Sequence, residues 1–321
     1  MIILLTGGAG FIGSHLAEKL LTEGHSVVCL DNLDAYYDPA IKRKNLAEAR
    51  QNSRYTFVEG DIRDGALVGS LFAAYPFDAV IHLAARAGVR PSVQDPALYF
   101  DVNVQGTLTL LQAMQTAGVR KMVFASSSSV YGDSAVVPFS EREACDRPLS
   151  PYAASKRAAE LLCHTFHHLY GFDIFCLRFF TVYGPRQRPE MAISQFTDQI
   201  LHGKPIPVFG DGSTSRDYTF VEDIVKGIMQ SLYSVKGYEV LNIGGSDPIS
   251  LSGLISTLEK AVGKSALLNH LPMQPGDVQR TFADISKART LIGYEPTVSV
   301  QEGVRRFVEW YCGEARPQTV N

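Results

Sequence analysis

Six short apolar runs recur through the first 178 residues of the chain, at residues 2–5, 27–30, 55–58, 79–82, 122–125 and 174–178. Between them, residues 14–22, 98–117 and 153–170 carry apolar side chains at helical spacing. Runs that are apolar on both faces fit strands covered from both sides, and their alternation with helices predicts parallel pairing. The expected fold is α/β, a doubly wound parallel sheet. Beyond Gly184 the pattern changes, with Pro185, Pro189, Pro205 and Pro207 around one short helix at 193–201. A buried strand at 240–243 and helices at 251–262 and 300–311 complete the prediction. The chain thus divides into residues 1–183, which hold the sheet, and residues 184–321, mainly a smaller C-terminal substrate-binding lobe, with a strand near 240–244 returning to the sheet.

A length of 321 residues agrees with about two domains. With 30 Lys+Arg against 33 Asp+Glu the formal charge is −3, so no net basic field exists to hold nucleic acid or an anionic membrane surface. The five cysteines, Cys29, Cys145, Cys163, Cys176 and Cys312, are odd in number and contain no C-x-x-C pair. Neither a disulfide framework nor a zinc site is indicated. The opening apolar run stops at Thr6, too short for a signal-peptide core or a membrane span, so a cytoplasmic location is expected. His164 and His168 share a helix face, but no third ligand follows at metal spacing and no metal is expected.

Directly after the first strand stands Thr6-Gly7-Gly8-Ala9-Gly10-Phe11-Ile12-Gly13, which opens a helix. Glycines allow a tight turn and close backbone approach to a pyrophosphate, while the helix N-terminus offers unpaired N–H groups and partial positive charge. The second strand ends in Asp31, placed to accept from an adenosine ribose hydroxyl. A carboxylate there repels a 2′-phosphate, and Asn32 rather than arginine follows, so NAD is expected over NADP. Arg43 and Lys44 read as a solvated basic turn.

Ser150 and Pro151 read as N-cap and first residue of a helix on which Tyr152 and Lys156, four apart, share a face. A phenol near pKa 10 is a poor base at neutral pH, and a neighbouring ammonium draws it downward. The serine run Ser126-Ser127-Ser128-Ser129 follows the 122–125 strand at the carboxyl edge of the sheet, where such folds bind ligands.

Taken with Asp61-Ile62, His82-Leu83-Ala84-Ala85, Asn103, Arg178-Phe179-Phe180, Tyr183-Gly184-Pro185 and Arg216-Asp217-Tyr218, these motifs resemble the extended short-chain dehydrogenase/reductase family, in particular its NAD-dependent nucleotide-sugar epimerases. The resemblance implies a Rossmann domain, an NAD cofactor and a homodimer built on the 98–117 and 153–170 helices. It implies that Ser127, Tyr152 and Lys156 are catalytic, with Lys156 holding the nicotinamide ribose and lowering the tyrosine pKa. NAD would meet Gly7, Gly10, Phe11, Ile12, Gly13, Asp31, Asn32, Asp61, Ile62, Leu83, Ala84, Ala85 and Asn103.

Members of this family oxidise C4 of the sugar to a ketone. A 4,6-dehydratase then needs an Asp-Glu pair directly after the catalytic hydroxyl; Ser128 and Ser129 stand there, and neutral hydroxyls cannot supply that acid/base chemistry. Rotation of the ketone and hydride return to its other face, a 4-epimerisation, is the expected outcome. The substrate end is similar to the UDP-glucuronate 4-epimerases through Tyr36-Tyr37-Asp38-Pro39, Ala87-Gly88-Val89-Arg90, Arg186–Met191 and the segment from Pro275 to Ala288. Thr181, where glucose-type epimerases carry Asn, leaves room for a C6 carboxylate, which Ser128, Ser129 and Thr181 would hold with Arg90 nearby. Arg188, Arg216 and Arg280 are diphosphate candidates, Asp277 matches a substrate position, and Phe209 is placed to stack on uracil. The alternatives are a UDP-glucose/UDP-galactose epimerase and a non-catalytic NAD-sensing protein; the latter usually lacks the tyrosine or lysine present here.

Overall fold

A computed structural model describes residues 1–134, 136–272 and 279–315. Its strands in chain order are β1 (Ile2–Thr6), β2 (Ser26–Asp31), β3 (Tyr55–Glu59), β4 (Ala79–His82), β5 (Lys121–Ser127), β6 (Asp173–Phe179), β7 (Thr181–Tyr183), β8 (Pro205–Phe209), β9 (Ser215–Phe220), β10 (Tyr238–Ile243), β11 (Pro248–Ser250) and β12 (Leu267–Leu271). Seven of them form one sheet in the order β10-β6-β5-β4-β1-β2-β3. Every pairing in it is parallel. The apolar runs form its centre: Ile3, Leu4, Leu5, Val80 and Ile81 are all fully buried, as strands covered on both faces must be. The order reverses between β1 and β4, which opens a crevice at the carboxyl ends of those two strands.

Residues 181–315 add a three-stranded sheet, β11-β9-β7, and the β12-β8 pair. Two features of the fold differ from the sequence expectation. The helix Val221–Ser234 lies in the region read as loop-rich, yet it covers the main sheet with Ile224, Ile228 and Leu232. Burying each such side chain is worth about 1.5–3 kcal/mol, enough to tie this helix to the cofactor half. The 98–117 helix is interrupted. It begins as Pro96–Phe100, widens into a π turn at Asp101–Gln105 and resumes as Gly106–Ala117. β10 runs beside β6 at the sheet edge, so the chain crosses back from the lobe before returning to it.

Candidate active site

The crevice widens into a cavity of about 470 Å³, bordered by the loop after β1, the ends of β2, β4 and β5, the start of the Pro151–Tyr170 helix and the segment around β7. The loop after β1 is glycine for steric reasons. Gly7 has φ of +75°, and a Cβ there would lie 2.6 Å from the Ala84 nitrogen; a Cβ on Gly13 would lie 2.2 Å from the Gly7 carbonyl. Asp31 accepts from Ala9 N–H at 3.0 Å and from Leu33 N–H at 2.9 Å, so the end of β2 also fixes the loop. The helix Phe11–Thr22 that follows has no acidic side chain in its first turn. A cradle that side chains would fill, beside an uncompensated helix N-terminus, fits a dinucleotide pyrophosphate.

Gly7, Gly10, Phe11, Ile12, Gly13, Asp31, Asn32, Asp61, Ile62, Leu83, Ala84 and Ala85 all line this cavity. Asn32 Nδ2 donates to Asp61 at 2.9 Å, and the bond from Arg63 is the main cause that holds the Asp61 carboxyl down to about 2. Asn103 departs from the expectation, because it is buried behind the wall instead of lining it. Its amide donates to the Arg86 carbonyl at 3.0 Å and to Ser155 Oγ at 2.9 Å, and its Oδ1 accepts from Arg86 N–H at 2.7 Å. The π turn carries this residue, in line with the use of such turns at functional sites.

Ser150 caps the Pro151–Tyr170 helix by accepting from Ala153 N–H at 3.1 Å, and Pro151 occupies its first position. This start brings Tyr152 and Lys156 to the cavity opposite Ser127, Ser128 and Ser129. Ser127 Oγ donates to Ser129 Oγ at 3.1 Å and accepts from Ser129 N–H at 3.2 Å. Lys156 donates to the Ala125 carbonyl at 2.8 Å, and burial lowers its pKa to about 8. Burial raises the Tyr152 pKa, while the Ser127 hydroxyl and the Arg188 charge oppose that rise. Ser127 and Arg188 thus both favour the phenolate.

The helix is fastened one turn further on. Glu160 accepts from Ser126 Oγ at 2.6 Å and takes both ends of the Arg178 guanidinium at 2.9 Å each. Successive residues of β5, Ala125 and Ser126, are thus bound by successive turns of the helix, which sets the distance between Tyr152 and Ser127.

Thr181 and Arg188 also line the cavity. Arg90, Phe209, Arg216 and Arg280 do not. Arg90 lies over the Phe209 ring at 5.6 Å, and Arg280 forms a bridge with Ser215 next to Arg216. Asp277 lies outside the described residues. Asp34, Lys42 and Arg86, which the sequence reading passed over, also face the cavity, as does Tyr36 of the substrate-end motif. Arg86 pairs with Asp34 and stacks 4.7 Å over Tyr36, whose ring also receives Arg188 at 5.5 Å. Arg43 and Lys44 are exposed, whereas Lys42 beside them is buried and donates to the Asp34 carbonyl at 2.8 Å.

The chain as a whole has counterparts among known proteins. The family described as GDP-mannose 4,6 dehydratase matches residues 4–307. The chain belongs to this family, within the extended short-chain dehydrogenases/reductases. It is 47 % identical over 308 residues to a UDP-glucuronate 4-epimerase of Thermodesulfobacterium geofontis, covering 96 % of this chain and 95 % of that one. Among solved structures, a UDP-glucuronic acid 4-epimerase of Bacillus cereus in complex with UDP-glucuronic acid and NAD superposes with a TM-score of 0.92 at 40 % identity, covering 98 % of this chain and all (100 %) of that one. A UDP-glucose 4-epimerase of Thermotoga maritima with UDP-glucose follows at 0.90 and 35 %, covering 98 % and 99 %.

Proposed function

We propose that this protein is an NAD-dependent UDP-glucuronate 4-epimerase, interconverting UDP-glucuronate and UDP-galacturonate. The observation that carries the reading is the wall of neutral hydroxyls, Ser127, Ser128, Ser129 and Thr181, on the cavity that also holds Tyr152 and the glycine cradle. The similarity to UDP-glucuronate 4-epimerases supports it. The family's description names a dehydratase, but serines stand where that elimination needs its carboxylic acids.

Gly7, Gly10 and Gly13 with the helix N-terminus would hold the NAD pyrophosphate, and Asp31, Asn32, Asp61 and Ile62 its adenosine. NAD supplies the reversible oxidation of the sugar C4. Tyr152 carries the proton of the 4-hydroxyl, aided by the Ser127 hydroxyl, which bonds the same oxygen. Lys156, charged below about pH 8, stabilises the phenolate that forms. Once C4 is a ketone, the sugar is a β-keto acid, which loses CO₂ when its C5–C6 bond aligns with the carbonyl π system. Ser128, Ser129 and Thr181 hold the carboxylate out of that alignment while the ring turns over. Arg188, Arg216 and Arg280 serve the diphosphate, and Phe209 and Asp277 belong to the nucleotide end, where Arg90 stacks on Phe209.

The assembly fits a homodimer through the helices Pro96–Phe100 and Pro151–Tyr170, where Phe100, Leu161 and Leu169 are exposed; light scattering at twice the chain mass is the expected result. A cytoplasmic location accompanies the reading, with all five cysteines free. No helix among the described residues is long and apolar enough to cross a membrane.

The test is incubation of the purified protein, without added NAD, with UDP-glucuronate and separately with UDP-glucose, followed by NMR of C4 stereochemistry. Inversion of UDP-glucuronate alone is expected. Inversion of UDP-glucose alone would establish the neutral-sugar reading instead.

A further inference from the structure

Asp217 is completely buried in β9, and its carboxylate accepts three backbone hydrogen bonds from two distant stretches of chain. Gly245 donates at 2.7 Å, Ser246 at 3.0 Å and Ala283 at 3.0 Å. In return the Asp217 N–H donates to Thr281 Oγ1 at 3.1 Å. The turn at residues 244–246 is shaped for this contact. A Cβ on Gly245 would lie 2.7 Å from the Tyr218 carbonyl and one on Gly244 2.6 Å from the Ala283 Cβ, so any side chain would push the turn off the carboxylate. Ser246 holds a left-handed φ of 54°, an uncommon conformation for a residue with a side chain.

The 279–283 stretch runs alongside β9 at the same place. Ser215 N–H donates to the Gln279 carbonyl at 3.0 Å and Thr281 N–H to the Ser215 carbonyl at 3.1 Å, which sets Arg280 against Ser215. Arg216 Nη1 donates to the Ser215 carbonyl at 2.9 Å, so this guanidinium is anchored to the same backbone. Farther along this edge β9 pairs with β7, with Thr181 opposite Tyr218, while β11 takes the other edge.

We propose that Asp217 is a positioning residue for the nucleotide diphosphate: its buried carboxylate pins the 279–283 stretch and the 244–246 turn to β9, and so fixes the paired backbone that carries Arg216 and Arg280. It touches no substrate. The proposal rests on the diphosphate reading of the two arginines. A carboxylate suits the task because its two oxygens receive several N–H groups at once, whereas the amide of asparagine offers one acceptor and sets an NH₂ against the remaining donors. Losing the pin removes the Ala283 tie while the Ser215 bonds to Gln279 and Thr281 remain, so the stretch that carries Arg280 is loosened rather than released.

The test measures UDP binding to the NAD-loaded full-length protein by calorimetry, together with steady-state kinetics on UDP-glucuronate. Asp217→Asn is expected to raise the UDP Kd about tenfold, equivalent to about 1.4 kcal/mol, with the loss falling on KM rather than kcat and with NAD affinity unchanged. Thr281→Val, which keeps the carboxylate and removes one tie, is expected to give a smaller shift in the same direction and decides the matter if Asp217→Asn does not fold. Because Asp217 acts through Arg280, the Asp217→Asn/Arg280→Ala pair should bind UDP little worse than Arg280→Ala alone, a non-additivity that a purely structural role would not produce. If Arg216→Ala and Arg280→Ala leave UDP affinity unchanged, the diphosphate reading itself is wrong. If those two weaken UDP binding while Asp217→Asn and Thr281→Val do not, or if the paired effects multiply, the role of Asp217 is overturned.

Discussion

Glu160 and Asp217 are both wholly buried carboxylates, one on the Pro151–Tyr170 helix and one in the C-terminal lobe, and they are satisfied in opposite ways. Burial pushes the Glu160 carboxyl up, but the bonds and charge of Arg178, with Ser126 and Arg157, outweigh it and hold the group below its ordinary value. Asp217 has backbone N–H partners instead, and burial raises it to about 6 against the bonds from Ala283, Gly245 and Ser246. In the catalytic half, charged side chains fix other side chains, which suits a reacting tyrosine that must stay put. In the lobe, a lone carboxylate fixes backbone, which suits a binding wall assembled from segments far apart in sequence. The first arrangement resists acid; the second yields to it.

The largest expected effect belongs to the catalytic half alone. Tyr152→Phe should lower kcat by about 10²–10⁴-fold, the usual worth of a general acid–base group, while UDP binding measured by calorimetry stays as it is. Next is Glu160→Gln, which leaves the buried Arg178 guanidinium without its carboxylate; urea unfolding should show a loss of about 3–5 kcal/mol. A loss below about 1 kcal/mol would place Glu160 with ordinary surface pairs and erase the contrast.

The contrast also predicts separate pH responses. Asp217 takes up its proton as the pH falls through about 6, and Asp247 nearby adds to that tendency. Because this folded value lies above the unfolded one, protonation favours the folded state, so the chain stays folded while N–H bonds to a neutral acid weaken. KM for UDP-glucuronate should therefore rise between pH 6.5 and about 5, with Tm holding. Glu160 shifts the other way: its stabilisation is present above the unfolded carboxyl value and is lost only as the pH falls through its lowered folded value. On the alkaline side kcat should fall above about pH 8, where Lys156 gives up its charge. The smallest effect is on product fate. Thr181→Ala, removing one hydroxyl from the carboxylate wall, should raise CO₂ release relative to epimerisation by about two- to tenfold, the worth of one hydrogen bond; an unchanged ratio would detach Thr181 from that role.

The central sheet was legible because strands buried on both faces write themselves as unbroken apolar runs, and β1 and β4 illustrate this from end to end. The helix Val221–Ser234 was not read, although Val221, Ile224, Ile228 and Leu232 carry helical spacing; the prolines before it made the whole region look irregular. The π turn at Asp101–Gln105 had no local signal at all, since Asn103 is bound to the main chain of Arg86, remote in sequence. The same reason hid Arg86, whose place depends on Asp34 and Tyr36 arriving from another loop. Glycine cradles and a tyrosine four residues before a lysine are compact patterns that one segment can carry. A buried carboxylate clamping three segments is not, and Asp217 stood in the sequence only as one member of the Arg216-Asp217-Tyr218 motif, with no partner indicated.

The most direct measurement of the central claim follows a deuterium label at C4 of UDP-glucuronate through turnover in ordinary water, with product analysed by mass spectrometry and NMR. Oxidation and reduction at C4 within one closed cavity predict UDP-galacturonate with the deuterium still on C4 and no solvent hydrogen at C5. Loss of the label to water, or exchange at C5 without inversion at C4, would contradict the account.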